Sequence, residues 1–140
     1  MSGKVVTLEP SVAPPWRLRP LALAAVALAR LLERLPPRRL RQVLRLASRG
    51  ARPADVTTVL RARNAVVAVS IRCAGPRCLQ RSIATALLCR AGGSWPEWCT
   101  GVRTQPFQAH AWVAVDGVPI GESINDIRYF HRTMTVSVQP

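Results

Sequence analysis

The chain has 140 residues, about half of them apolar, and carries a net charge of +13 at pH 7. This length and composition are typical of one domain with a single core, and they exclude a repeat array or a low-complexity chain. The charge is concentrated in residues 1–63, which hold 13 basic against 3 acidic residues, so this half is suited to a polyanion, a membrane surface or an acidic partner.

Arginine accounts for 19 of the 20 basic residues. This skew, together with abundant alanine, fits a coding bias as well as it fits phosphate binding. No aromatic residues are interleaved with the arginines to stack on bases. We therefore expect no nucleic-acid partner, and an arginine-rich nucleic-acid-binding module is kept as an alternative.

The N-terminus shows no secretory signal, because it lacks a basic start followed at once by an apolar run. The apolar run Leu21–Leu32 is shorter than the ~20 residues that cross a bilayer, and charged residues close it. We expect a cytoplasmic protein without a transmembrane segment, in which this run is a buried helix or, less favoured, a helix on a membrane surface.

The N-terminal half predicts an arm followed by three helices. Residues 1–19 are rich in proline and form the arm, in which Val5, Val6 and Leu8 fit a short edge strand. The helices are predicted over Pro20–Leu35, with Pro20 at the first position, and over Pro37–Gly50 and Asp55–Arg72. The first is apolar on nearly all sides, which is typical of a helix buried in its own domain or sandwiched against a partner.

The second predicted helix is amphipathic. Leu40, Val43, Leu44 and Ala47 recur at helical spacing on one face. The opposite face carries Arg38, Arg41, Arg45 and Arg49. We interpret this stripe as a solvated face, with a binding surface as the alternative.

The C-terminal half predicts one more helix and then strands. The helix begins near Cys78 after a Gly-Pro break and ends at Gly92-Gly93. Period-two alternation predicts strands over Trp98–Thr104, Gln108–Val115 and Val118–Ile124, with a further strand from Tyr129-Phe130 and Met134–Val138. Helices followed by an antiparallel meander indicate an α+β fold.

Cys78 is the best candidate nucleophile. A thiol at a helix N-terminus experiences the positive end of the helix dipole and unpaired backbone N–H groups, which favour the thiolate and can also hold an oxyanion. Arg77 and Arg81 add positive charge nearby. The alternative is a small core residue.

His110 lies inside a predicted strand, between Ala109 and Ala111, and a helix-start cysteine followed by a strand histidine favours a catalytic pair over a structural histidine. A hairpin with a type I turn and Gly117 in the left-handed conformation places Glu122 directly opposite His110. Asp116 then lies at the tip, ~20 Å away. A two-residue loop would instead place Ser123 opposite His110.

The other candidate residues are assigned structural roles. Cys89 is interpreted as core, Cys99 as a strand residue, Cys73 as a helix-end residue and His131 as a surface residue in the tail. The cysteines lack CxxC spacing, and only two histidines are present. We therefore expect no metal site. Because no secretory signal is evident, we also expect no disulfides. No cofactor is expected.

Several short motifs together resemble the transglutaminase-like leader peptidases of lasso-peptide biosynthesis. They are Cys78–Ser82 with Leu87-Leu88, then Gly101–Arg103, Pro106-Phe107, His110–Val113 and Asp116-Gly117. The likeness covers residues 72–124. It implies a papain-like or transglutaminase-like cysteine protease core in which Cys78, His110 and Glu122 fall on the catalytic positions. Gln80 and Gly121 depart from the common pattern, where proline and asparagine are usual. Asp116 and Asp126 stay open as alternatives for the acid.

The resemblance implies a cysteine peptidase that removes the leader peptide from a lasso-peptide precursor before macrolactam closure. Members of this size are the catalytic half of a split form and lack a winged-helix-like leader-recognition module, which is a separate partner; a macrolactam synthetase acts next. The implied organisation is an arm (1–19), a helical docking or scaffold region (20–71) and a catalytic core (72–140) in one compact domain. The alternatives are an acyltransferase or transglutaminase on the same core and a non-catalytic scaffold.

Overall fold

The computed structural model describes residues 18–70, 77–122 and 127–138. In chain order the elements are α1 (Leu18–Leu32), α2 (Pro37–Ser48), β1 (Arg52–Pro53), α3 (Val56–Val69), α4 (Cys78–Ala91), β2 (Ser94–Trp95), β3 (Glu97–Arg103), β4 (Gln108–Val115), β5 (Val118–Pro119) and β6 (His131–Val136). Helices therefore precede an antiparallel sheet, and the predicted α+β fold is confirmed.

The main sheet has the strand order β5-β4-β3-β6. Strands β3, β4 and β5 form the predicted meander, whereas β6 crosses over to pair with the other edge of β3. A separate parallel pair joins β1 to β2. The sequence did not predict this pair, because two residues are too few to show a period and one of them is proline.

The helix bounds differ from the predicted ones mainly at the C-terminal ends, since α1 ends at Leu32 and not at Leu35, and α2 ends at Ser48 and not at Gly50. Helix α1 begins at Leu18, two residues before Pro20, which was predicted at the first position and lies in the first turn, where proline is tolerated. Asp55 caps α3, and its carboxylate accepts a hydrogen bond from the Thr58 N–H at 2.7 Å. Leu18 and Arg19, the last two residues of the predicted arm (1–19), belong to α1, and residues 1–17 lie outside the described residues. Helix α3 ends at Val69, so the predicted continuation through Ser70 is wrong, and residues 71–73, including Cys73, lie outside the described residues.

Helix α1 buries only one face. Ala22, Ala25, Val26 and Ala29 face the core, and their small side chains let α1 pack closely on α4. Leu21, Leu28 and Leu31 are 46–62% exposed. The expectation of a helix buried on all sides within its own domain is therefore wrong for the described chain.

Helix α2 has the predicted amphipathic character. Leu40 and Leu44 are buried, while Arg38, Arg41, Arg45 and Arg49 are exposed. Gly50 follows with a φ of 74°, the left-handed conformation that often ends helices. The sequence pattern and the packing thus agree for this helix.

Helix α4 is held on the sheet by a buried tryptophan. Trp98 of β3 is fully buried, and its Nε1–H donates to Ser82 Oγ of α4 at 3.0 Å. The large hydrophobic cluster that contains Trp98 extends through the helices and one face of the sheet. A smaller cluster on the sheet includes Cys99, Trp112 and Ala114. This packing fixes α4 relative to β4.

The β4–β5 hairpin has a two-residue loop. Asp116 (φ 51°) and Gly117 (φ 79°) are both left-handed, and Val115 pairs with Val118. These angles are those of a type I′ turn, whose twist matches the strands. The predicted three-residue loop is wrong, because Asp116 itself adopts the left-handed conformation, which aspartate tolerates.

Strand β5 ends much earlier than predicted. Beyond Pro119 the Ile120 N–H still donates to the Val113 carbonyl at 2.9 Å, but Gly121 has a φ of 73° and turns the chain away. The predicted strand to Ile124 is therefore wrong. Ser123 and Asp126 lie outside the described residues.

Among the described residues, no helix combines the length and the apolar composition required to cross a bilayer.

Candidate active site

Cys78 is the first residue of α4, as predicted. The earliest bond of this helix runs from the Arg81 N–H to the Arg77 carbonyl at 3.0 Å. The three preceding N–H groups of α4 therefore have no partner within the helix. The side chain of Arg77, the N-cap residue, makes no capping bond to them. The thiol thus lies beside the positive end of the helix.

The sulfur of Cys78 meets the edge of β4. It is hydrogen-bonded to the His110 side chain and to the backbone N–H of Ala111. Because Val113 accepts a bond from Ile120, the backbone groups of Ala111, two residues earlier, also point toward the β5 side of β4. Strand β5 has already ended there, so this edge is open to the thiol.

Glu122 contacts the same imidazole. Its Oε1 lies 3.2 Å from His110 Nε2. The side chain of Glu122 is 15% exposed and that of His110 is 22% exposed. The structure therefore brings together Cys78, His110 and Glu122, although not through the predicted cross-strand register. Asp116 lies in the hairpin turn instead.

The contacts around the thiol favour a thiolate. Burial raises the pKa of Cys78, but hydrogen bonds from His110 and the Ala111 N–H, with the positive charges of His110 and Arg81, outweigh it. The resulting pKa lies below the ordinary value of 9.0.

The same contacts favour an imidazolium. The hydrogen bonds to Cys78 and to Glu122 raise the pKa of His110 from 6.5 to about 9, against the opposing effect of burial. The charges of Glu122 and Cys78 act in the same direction. Together the two shifts favour an ion pair of thiolate and imidazolium.

Arg81 joins the helix to the carboxylate. Its Nη2 lies 3.5 Å from Glu122 Oε1, and the two side chains are 13% and 15% exposed. The sequence indicated a positive charge at Arg81, but it gave no sign of this ion pair. Arg77, in contrast, has a side chain that is 55% exposed and lies 3.8 Å from Glu33, the residue that follows α1.

Aromatic rings flank the imidazole. The ring of Trp112 stacks on His110 at 5.8 Å between centroids, and the ring of Phe130 lies 5.5 Å away at a tilt. Gly101 lies opposite His110 in β3, where a Cβ atom would come within 2.9 Å of the Trp112 ring. Sequence reasoning missed this enclosure, because Phe130 lies far from His110 along the chain.

The remaining candidates lie elsewhere. Cys89 is buried, as predicted, and burial raises its pKa to about 12, so its thiol is unreactive at neutral pH. Cys99 is a buried residue of β3, as predicted, and its pKa is also raised by burial. His131 is exposed as predicted, but it begins β6 and does not lie in a tail. Within the described ranges, no three His, Cys, Asp or Glu side chains cluster closely enough to hold a metal ion.

A nucleophile, a proton carrier and a carboxylate thus lie in one chain of hydrogen bonds, next to N–H groups that have no partner within their helix. This arrangement is suited to acyl transfer through a thioester, because the thiolate can attack a carbonyl and the imidazolium can protonate the departing group. The N–H groups are suited to hold an oxyanion.

Comparison with known proteins gives one match. The family model described as the transglutaminase-like superfamily matches residues 22–135, which is most of the chain and includes every residue of the site. No curated protein and no solved structure matches the chain significantly.

Proposed function

The chain belongs to the transglutaminase-like superfamily, and from this premise we propose that it is a cysteine peptidase that removes the leader from a lasso-peptide precursor. This superfamily includes both cysteine peptidases and transglutaminases. The observation that carries the proposal is the hydrogen bond between the helix-start thiol of Cys78 and His110, whose Nε2 is in turn hydrogen-bonded to Glu122. The sequence resemblance described above supplies the class of substrate.

In the first half of the reaction, the Cys78 thiolate attacks the scissile carbonyl and forms a tetrahedral intermediate. The N–H groups at the start of α4, which have no partner within the helix, receive its oxyanion. The carbon–nitrogen bond then breaks, and the imidazolium of His110 gives its proton to the departing amine of the core peptide. Since Glu122 engages Nε2, Nδ1 is the nitrogen that faces the thiol and the leaving group.

In the second half, water hydrolyses the thioester. Neutral His110 takes a proton from the water, and the resulting hydroxide attacks the thioester carbonyl. The carbon–sulfur bond breaks, the leader leaves with a new carboxylate and Cys78 returns as the thiolate. Glu122 keeps the imidazole oriented and stabilises its protonated form in both halves.

The test is cleavage of lasso-peptide precursors by purified protein, with any precursor found among the neighbouring genes tried first. Cys78→Ala and His110→Ala are each expected to abolish cleavage while leaving the circular dichroism spectrum and the unfolding temperature close to wild type. Cys89→Ala is the matched control, since its buried thiol lies outside the site. Full cleavage by either site variant would refute the mechanism.

The mass of the products tests the reaction type. Hydrolysis is expected to add one water across the cleaved bond, so that the masses of leader and core sum to the precursor plus water. An acyltransferase would instead join the leader to an amine through a new amide bond. A leader–amine conjugate as the main product would contradict peptidase activity and favour the transferase.

We further propose a cytoplasmic site of action and partner proteins. A separate leader-recognition protein delivers the precursor, and a macrolactam synthetase acts on the product. The exposed Leu21, Leu28 and Leu31 of α1 and the exposed arginines of α2 support docking on these helices. Leu28→Asp should weaken capture by the recognition protein without changing thiol reactivity at Cys78; unchanged capture would contradict docking at this face.

A further inference from the structure

Glu122 is held against His110 by something other than the sheet. The hairpin pairs Ala114 with Pro119, and the strand pairing ends there apart from one bond of Ile120. Glu122 follows Gly121, whose left-handed backbone leads the chain away from β4. Strand pairing therefore does not fix the position of the carboxylate, and other contacts must do so.

Those contacts come from arginines of two helices. Arg81 of α4 forms the ion pair with Glu122 Oε1, the same oxygen that lies 3.2 Å from His110. The side chain of Arg63 of α3 lies so close over Gly121 that a Cβ atom at this position would collide with it. The turn is thus packed against α3, while the carboxylate is directed by α4.

We propose that Arg81 is a positioning residue that holds Glu122 on His110 and couples this carboxylate to the Cys78 thiol. Arg81 lies three residues after Cys78, which places both side chains on the same face of α4. One cation therefore contacts the carboxylate that orients the imidazole and also lies near the sulfur. This inference rests on the proposed roles of Cys78 and His110.

Two consequences follow from this position. Removing the guanidinium removes a positive charge that favours the thiolate, so the pKa of Cys78 should rise. It also releases Glu122 from its fixed place beside His110. Among the described residues, the charged groups that act on the thiol are His110 of β4, by a hydrogen bond and by its charge, and Arg81 of α4, by its charge, while Glu122 contacts His110.

The pH dependence of thiol alkylation tests the first consequence. Wild type and Arg81→Gln are treated with iodoacetamide across the pH range, and mass spectrometry follows the peptide that contains Cys78. We expect the pH at the midpoint of the alkylation rate to be higher in Arg81→Gln than in wild type. In Arg81→Lys the midpoint should lie close to the wild-type value, because the charge is kept. Arg77→Gln is the matched control, because Arg77 adjoins Cys78 but is directed to Glu33.

A double-mutant cycle tests the second consequence. Cleavage by wild type, Arg81→Gln, Glu122→Gln and the double variant is compared. Loss of Glu122 should cost about tenfold less in the Arg81→Gln background, as is usual for members of one ion-pair network. A merely structural role for Arg81 would leave the effects multiplicative. If Arg81→Gln does not fold, Arg81→Met takes its place, because methionine also removes the charge and keeps much of the length. The coupling with Glu122→Gln must then exceed the coupling measured for Arg77→Met in the same cycle.

The two tests separate the inference from the proposed function. Equal midpoints for Arg81→Gln and Arg77→Gln, or multiplicative effects in the cycle, would overturn the positioning role even with an active wild type. The proposed function would instead be overturned if Cys78 of wild type were alkylated with the midpoint pH of an ordinary thiol, and if His110→Ala left this midpoint unchanged.

Discussion

The Glu122→Gln variant tests how the carboxylate acts on His110. The hydrogen bond to Cys78 contributes most, followed by the hydrogen bond to Glu122, and together with the negative charge of Glu122 they raise the pKa of His110 from 6.5 to about 9. Glutamine keeps the size and can accept a hydrogen bond from Nε2–H, but it lacks the charge. The loss of one contacting carboxylate should lower the pKa of His110 by roughly one unit, or about 1.4 kcal/mol.

The assay is the pH profile of kcat/KM for cleavage of one precursor. Activity needs the Cys78 thiolate and the His110 imidazolium, so it should rise with pH as Cys78 ionises and fall as His110 loses its proton at about pH 9. In Glu122→Gln the alkaline limb should move to lower pH by about one unit, and turnover should fall strongly.

Asp116→Asn is the matched control, because it removes the same charge at the hairpin tip and asparagine suits the left-handed turn. It should leave both the rate and the profile nearly unchanged. The reasoning is refuted if Glu122→Gln keeps the wild-type alkaline limb, or if Asp116→Asn moves that limb as far. Unfolding temperatures of both variants establish that the fold is intact.

Two further substitutions test the packing that supports the site. Gly121→Ala should lower the free energy of unfolding, measured by urea titration, more than Gly117→Ala does. Both positions have a positive φ, which costs alanine about 1 kcal/mol of strain, but only Gly121 is covered by Arg63. Equal losses in the two variants would contradict this packing. Trp98→Phe should lower it by about 1 kcal/mol or more, since the bond to Ser82 Oγ is buried, and an unchanged midpoint would contradict that contribution.

Much of the site follows from local sequence patterns. The Gly-Pro break and the helical spacing after it predict that α4 begins at Cys78, and the period-two run predicts β4 around His110. These elements depend on propensity and periodicity, which a sequence displays directly. The amphipathic α2 was predictable for the same reason.

The rest depends on contacts between distant residues. An Asp-Gly hairpin is compatible with two loop lengths, and the left-handed Asp116 decides between them. The early end of β5 depends on Gly121, whose turn is packed against Arg63 of a helix far away in the chain. The ion pair of Arg81 follows from that turn. Such packing leaves no periodic signal, so Glu122 reaches His110 by a route that register arguments did not predict.

The most direct test of the central claim is a titration of the Cys78 thiolate by its far-ultraviolet absorbance. Subtracting the titration of Cys78→Ser removes the signal of the other cysteines. The account predicts a midpoint below 9.0 for wild type, because His110, the Ala111 N–H and Arg81 stabilise the thiolate, and a clearly higher midpoint for His110→Ala. A wild-type midpoint at or above 9.0, or the same midpoint in both proteins, would contradict the ion pair on which the proposed chemistry depends.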